Sequence, residues 1–335
     1  MNRIALALLA AGLAVTLSAQ SGPAMAAPAK TAKAAAWSAD AVNATDKLKP
    51  AGPKSSGAHV LRAQILLDRA HFSSGEIDGS YGTNMQRAVT GYQRKMGLPE
   101  TGKVDDATWQ SLNADSAQAL ITYTMVDADV AGPYTKIPAE MADKAALPAL
   151  DFESPEEALA ERFHMSVGLL KKLNPGKDVS VAGTELLVPN VLDTEPLPKA
   201  GRIVVDKSDS TLSVYDTAGV LVAQFPASTG SEKDPLPIGK WKVNGVSKNP
   251  KFHYNPKLFW DASPGDKKAM IPPGPNNPVG VAWVDLSKDH YGIHGTPVPA
   301  TIGKTQSHGC IRLTNWDVML LTTSVGPGTE VLLEA

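Results

Sequence analysis

The sequence predicts a multidomain chain in which a small all-α unit and a small α+β unit precede a mainly-β domain. Three patterns carry that prediction. Apolar residues recur at helical spacing within residues 59–113. Two helical faces and a short strand occupy residues 151–192. From Arg202 onward, apolar and polar residues alternate with a period of two. The length, 335 residues, suits two or three domains of ~100–200 residues each. A single cysteine rules out an internal disulfide, so each unit must be held by its own apolar core.

The N-terminus reads as an address. Arg3 supplies a positive charge, Ile4 to Leu17 is almost wholly apolar, and Ala24-Met25-Ala26 is a small-x-small cleavage site. The apolar run is shorter than the ~20 residues a membrane span needs, and no later stretch is longer. A cleaved signal peptide over residues 1–26 and an exported product are expected. No cysteine follows the run to take a lipid anchor. Residues 27–58, rich in Ala, Lys, Pro, Ser and Gly, suggest a flexible tether. A formal net charge of −2 gives no reason to expect nucleic acid or an anionic membrane surface as partner.

In residues 59–113, Val60, Ala63 and Leu67 mark a first helix, and Ser73 to Gly82 a turn cluster. Thr83, with Gln86 in the capping-box position, should open a second helix. Its buried stripe is Met85, Ala88, Val89, Tyr92 and Met96, and Gly97 ends it. Asp105 or Asp106 caps a third helix carrying Trp109 and Leu112. Residues 114–150 are a connecting segment with a strand-like run, Ile121 to Met125, broken at Gly132-Pro133. In residues 151–192, Ser154 and Glu157 form a capping-box pattern ahead of Leu159 and Phe163. Val167 to Leu173 makes a second helix, and Glu185 to Pro189 a strand. A proline-containing linker leads to residues 201–334. There, strands are expected at Ile203–Val205, Leu212–Tyr215, Val220–Phe225, Lys240–Val246, Val281–Leu286 and Glu330–Leu333. One late helix runs from Asn315 to Ser324 with Thr314 as its cap. His253 to Pro275 lies in a long insertion, read either as a lid or as a plain surface loop.

The chemistry concentrates in Ser307-His308-Gly309-Cys310-Ile311-Arg312 and in His294-Gly295-Thr296 upstream. A lone cysteine in an exported protein is an intermolecular partner or a free thiol. A thiol is mostly protonated at neutral pH, its ordinary pKa being about 8.5, and a neighbouring histidine can raise its nucleophilicity. His294 and His308 are the available bases. Gly309 permits a sharp turn, and the amides of the Gly309–Cys310 turn can serve an oxyanion. Arg312 offers a cation and a donor fork, either for a substrate carboxylate or to tie down the loop. A metal cluster of His290, His294, His308 and Cys310 is the competing pattern, but no Cys-x-x-Cys or His-Glu-x-x-His spacing supports it. Neither metal nor cofactor is expected.

The His-Gly-Thr and Ser-His-Gly-Cys-Ile-Arg motifs resemble those of the L,D-transpeptidase catalytic domain, the YkuD domain. The likeness extends over residues 201–334 and takes in Ser228-Thr229-Gly230, Pro235 to Trp241 and Asn277-Pro278-Val279-Gly280. It implies a β-sandwich fold, Cys310 as nucleophile and His294 as general base and acid. It further implies transfer of a peptidoglycan tetrapeptide stem to an amine, giving 3-3 cross-links. Some members carry serine where this chain has Gly295, so a backbone carbonyl would have to orient His294. Ser307, His308, Arg312 and Gly295 are then supporting or substrate-binding residues. Ile77-Asp78-Gly79-x-Tyr81-Gly82 with Ala88-Val89-x-x-Tyr92-Gln93 resembles a three-helix peptidoglycan-binding domain, and residues 151–192 resemble a LysM unit. The implied partners are stem peptides, glycan strands and other cell-wall enzymes, in the periplasm or wall. Two alternatives stay open: an L,D-carboxypeptidase or endopeptidase using the same pair, and an inactive peptidoglycan-binding scaffold. No Ser-x-x-Lys motif points to a serine enzyme of the penicillin-target class.

Overall fold

A computed structural model describes residues 37–46 and 48–335. The expected signal peptide and the first ten residues of the expected tether lie outside the described residues. The rest of the tether segment is packed rather than loose. Residues Ala39–Asn43 form a helical turn capped by Ser38, and Val42 is fully buried. Asn43 exchanges two hydrogen bonds with the Leu120 backbone, at 2.9 and 3.0 Å. The Trp109 indole donates to the Lys49 carbonyl. The tether expectation is thus corrected for these residues. Composition alone hides the pairing, because a few apolar side chains, Val42 and Ala51 among them, and a few backbone partners hold this segment down.

The first unit contains helices Ala58–Arg69, Thr83–Met96 and Asp106–Leu112 around Val60, Leu66, Leu67, Phe72, Met85, Val89, Tyr92 and Trp109. Asp105 caps the third helix by accepting from the Thr108 amide at 3.0 Å. Gly97 closes the second in the left-handed region, at φ 66°. The Thr83 cap is corrected: Gly82 stands at the N-cap without a side-chain bond, and Thr83 is already the first helical residue.

The second unit starts earlier than its helices suggest. Strand β1 (Leu120–Thr124) pairs antiparallel with β2 (Glu185–Pro189), in register Thr122 to Leu187. Helices Pro155–Arg162 and Val167–Leu173 lie between them in sequence and share a core of Leu159, Phe163, Leu169, Leu170, Leu186 and Val188. The run expected in a connecting segment is therefore a structural strand of this unit, separated from its helices by residues 125–154. A short strand cannot stand without a partner, and its partner here lies some sixty residues on.

The third unit is mainly β. It comprises β3 (Ala200–Asp206), β4 (Thr211–Asp216), β5 (Leu221–Pro226), β6 (Gly239–Lys248), a small hairpin of β7 (Phe252–Tyr254) and β8 (Ala269–Ile271), β9 (Ala282–Leu286), β10 (Gly292–His294), β11 (Ile311–Arg312) and β12 (Glu330–Glu334). Eight of these make one sheet in the order β11-β10-β9-β6-β12-β3-β4-β5. Strand β6 divides its length: its first half pairs with β12 and its second with β9, with a bulge between Val243 and Gly245. A bulge bends and twists a strand. Here it falls where the sheet changes partner, and residues from both halves enclose one core with helix Asn315–Ser324. The expected sandwich is realised as a single curled sheet.

The three units are closely docked. Helix Thr83–Met96 lies on β5, where Gln224 donates to the Arg87 carbonyl at 2.8 Å and fills the space beside Gly91. His164 of the second unit sits 3.0 Å from Asp68 of the first and stacks on Trp316 of the third. Asp317, fully enclosed nearby, accepts from Ser73 at 3.0 Å. Burial, reinforced by Asp68, pushes Asp317 up to about 7. Burial alone would lower His164, but Asp68, Asp317 and Glu161 raise it above its ordinary value. The segment before the second unit's helices also docks: Ile137, Met141, Leu147 and Leu150 pack on Phe252, Tyr254, Phe259 and Ile271 of the insertion.

Both raised groups bind protons more tightly in the folded interface than in the unfolded chain, so each loses its stabilisation as pH rises. For Asp317 the loss runs from its ordinary 3.8 to about 7, and for His164 it begins near 6.5 and continues through the raised value. The unfolding midpoint of the wild type relative to Asp317→Asn should therefore fall across that window. A difference that is flat or rising with pH contradicts the assignment.

Candidate active site

Strands β10 and β11 are parallel neighbours, with Ile293 opposite Ile311 and His294 opposite Arg312. Both isoleucines are fully buried in the sheet's core. Side chains alternate along a strand, so His294 and Arg312 face the other way, and Cys310 precedes Ile311 on that same side. The pairing thereby gathers thiol, imidazole and guanidinium on one face. Gly292 lies opposite the cysteine, and a Cβ there would sit 2.4 Å from the Trp283 ring. Its absence lets the indole of β9 stack on His294, ring centres 5.4 Å apart and 14° from parallel.

His294 is buried, and its Nδ1 lies 2.7 Å from the Gly295 carbonyl oxygen. A carbonyl only accepts, so Nδ1 carries the proton and Nε2 keeps its lone pair. The backbone oxygen of Gly295 holds the ring where no serine is available. Burial pushes His294 down to about 4; the Gly295 hydrogen bond opposes this and Arg312 adds to it. Cys310 is half-buried, its Sγ 3.6 Å from the His290 carbonyl. Burial pushes its thiol up to about 11, against the Gly292 backbone and the Arg312 cation. Burial therefore disfavours the charged form of each group, which favours a neutral thiol and a neutral imidazole at rest.

The remaining expected residues build the turn. Gly309 has φ +105°, and a Cβ would meet the Tyr291 ring at 3.0 Å, so only glycine fits without strain. Ser307 is buried, donates its hydroxyl to the Cys310 carbonyl and pairs its amide with the Thr229 carbonyl at 2.8 Å. Arg312 donates to the Gln306 carbonyl and to Thr305 Oγ1 at 3.2 Å, and its backbone pairs with Ser228. Those contacts commit the guanidinium's Nη2 to the loop. His308 faces the insertion instead: its Nε2 is 2.9 Å from Asp261, and Phe259 and Trp260 flank its ring. Among the described residues no cluster of three or more His, Cys, Asp or Glu side chains is placed to hold a metal ion. His290 offers the thiol its backbone, not its ring.

A cleft of about 910 Å³ opens over this floor. Trp283, Tyr291, His294, Ser307, Cys310 and Arg312 line its base, Tyr254, Phe259 and Asp261 of the insertion one side, and Ala139 to Met141 another. The insertion is a β-hairpin wall, not a plain loop. Motif and period assign no chemistry to Trp283, Gly292, Asn315 or residues 139–141. Only Gly292, an isolated glycine in a strand pattern, carries a local signal of close approach.

The mainly-β domain thus presents a thiol and an imidazole on the lining of one cleft. Comparison with known proteins adds to this. Residues 200–333 match the L,D-transpeptidase catalytic domain, and residues 56–112 match a domain described as "Putative peptidoglycan binding domain". A Bacillus licheniformis protein, "Putative L,D-transpeptidase YkuD", is 33% identical over 178 residues, covering 52% of this chain and 90% of that protein. "Probable L,D-transpeptidase YbiS" of Escherichia coli K12 is 31% identical over 183 residues, covering 53% of this chain and 59% of that protein. The solved L,D-transpeptidase of Xylanimonas cellulosilytica aligns with 84% of this chain and 96% of that one, at 18% identity and a TM-score of 0.37. The chain belongs to the L,D-transpeptidase family.

A neutral resting pair has a measurable signature. Alkylation of Cys310 by iodoacetamide in the folded protein should rise with pH through a midpoint above the ~8.5 of a free thiol. A midpoint well below neutrality would show a preformed thiolate–imidazolium pair and overturn the assignment.

Proposed function

We propose that this enzyme is exported to the periplasm or cell wall and acylates Cys310 with a peptidoglycan tetrapeptide stem, then passes the acyl group to an amine to form a 3-3 cross-link. The observation that carries this is the β10–β11 register, which sets His294 and Cys310 on one face of the cleft floor. As substrate binds, the thiol proton passes to Nε2 of His294 and sulfur attacks the carbonyl carbon at the L-centre of diaminopimelate. Amides of the Gly309–Cys310 turn receive the oxyanion. The C–N bond then breaks, the imidazolium proton goes to the leaving amine of the terminal D-residue, and a thioester remains. An acceptor amine attacks that thioester, giving its proton to His294, and the C–S bond breaks to restore the thiol. Ser307, Arg312 and Gly295 hold the loop and the base, and His308 anchors the insertion beside the substrate.

In the same proposal the chain is laid out as a signal peptide over residues 1–26, a helical peptidoglycan-binding unit over 59–113, a second small unit beginning near residue 120, and the catalytic domain over 201–334. The helical unit is assigned to glycan strands, and other cell-wall enzymes are assigned as partners. In this proposal the hairpin wall flanks the thioester and limits its access to water.

The test is mass spectrometry of the purified mature chain incubated with a disaccharide-tetrapeptide, beside Cys310→Ala. A dimeric muropeptide joined through two diaminopimelate residues, absent with the variant, is expected. Tripeptide monomer alone would make the enzyme a hydrolase. No turnover and no adduct on Cys310 would leave a binding scaffold.

A further inference from the structure

We infer that Glu161, a residue of the second unit outside the catalytic domain, positions the His294 imidazole through Asn315 and the Gly295–Thr296 peptide. The inference rests on His294 being the catalytic base. The oxygen that holds His294 Nδ1 belongs to Gly295, and the N–H of that same peptide unit belongs to Thr296. A peptide unit is planar, so fixing its N–H fixes the direction of its carbonyl. That N–H donates to Asn315 Oδ1 at 3.1 Å, and the Val281 N–H donates to the same oxygen at 3.2 Å. Asn315 is buried and leaves no space around it: a Cβ on Gly295 would lie 2.2 Å from its Oδ1.

An asparagine amide performs this task in only one of its two flipped orientations. Both ends of the amide select it: two N–H groups face the oxygen, and two acceptors face the nitrogen. Asn315 Nδ2 donates to Glu161 Oε1 at 3.0 Å and to the Pro275 carbonyl at 3.1 Å. Glu161 reaches this point from helix Pro155–Arg162, across the interface between the two units. Its carboxyl is pushed up to about 7, chiefly by burial, with the Asn315 hydrogen bond opposing. An oxygen acceptor survives on it in either protonation state. The line from Glu161 to the imidazole thus has four members, each at hydrogen-bond distance from the next. A tilt of the ring at its far end moves Nε2 relative to the thiol, which is the geometry on which proton transfer depends.

Glu157 is the natural control, since it joins the same helix to the catalytic domain by a different contact, Asn276 Nδ2 at 2.8 Å. The experiment uses the full mature chain. It follows single-turnover formation of the Cys310 thioester from a disaccharide-tetrapeptide by intact mass, and the hydrogen-bonded Nδ1–H proton of His294 by NMR. Glu161→Ala should slow thioester formation by about tenfold or more, at an unchanged half-saturating concentration, and weaken the Nδ1–H resonance. Glu161→Gln, which keeps an oxygen toward Asn315, should restore both. Glu157→Ala should stay within about twofold of wild type. The inference is overturned if Glu161→Ala matches wild type, if it changes only the half-saturating concentration, or if Glu157→Ala slows the reaction equally. Should the wild type itself form no adduct, the proposed function fails separately. The resonance alone then decides: its persistence in Glu161→Ala overturns the positioning role, and its loss supports it.

Discussion

The parallel pairing of β10 with β11 is the constraint on which the rest of the site depends. Each strand is only two or three residues long, and parallel strands so short cannot hold register by themselves. The structure supplies the register from both sides. On one side β10 is laced to β9 through Ile293 and Val284; on the other, Arg312 and Ser307 bridge to Ser228 and Gly230. The buried pair Ile293 and Ile311 then locks the face, because a slip by one residue would exchange core for cleft. Ser228-Thr229-Gly230 belongs to the catalytic motif in this sense, although it carries no reactive group.

The same burial that fixes the geometry sets the electrostatics. Burial disfavours the charge on both the thiol and the imidazole, and Arg312, which would favour a thiolate, also disfavours an imidazolium. In the proposed mechanism charge separation is deferred until substrate arrives, when the oxyanion supplies a reason for it. Such a site remains unreactive toward stray electrophiles but needs its base well oriented. That requirement explains why the imidazole is clamped on two sides, by the Trp283 stack and by the Gly295 carbonyl.

Much of this is legible in the sequence wherever a residue's own chemistry or a local period speaks. Period-two alternation finds the strands of the mainly-β domain, Gly97 and Asp105 mark helix ends, and the motif around Cys310 points to the thiol. The failures share one cause, which is partners distant in sequence. Leu120–Thr124 looks like part of a connector because its partner strand begins at Glu185. Residues 39–58 resemble a tether because the groups that hold them, Leu120, Trp109 and Val104, lie beyond any local window. Thr83 fails as a cap because Gly82 already has the extended backbone that the position requires. Trp283 and Asn315 are invisible as parts of the site, since a tryptophan in a strand and an asparagine opening a helix have ordinary structural uses.

The accessory units cannot be regarded as passengers on the catalytic domain. Residues 137–150, which lead into the second unit, pack on the hairpin that also holds His308, and residues of both line the cleft. Docking in turn runs through His164, Asp68 and Asp317, in a region where burial leaves ionised groups few partners. The unit that matches a peptidoglycan-binding domain and the catalytic domain are thus joined by side-chain contacts rather than by a free linker.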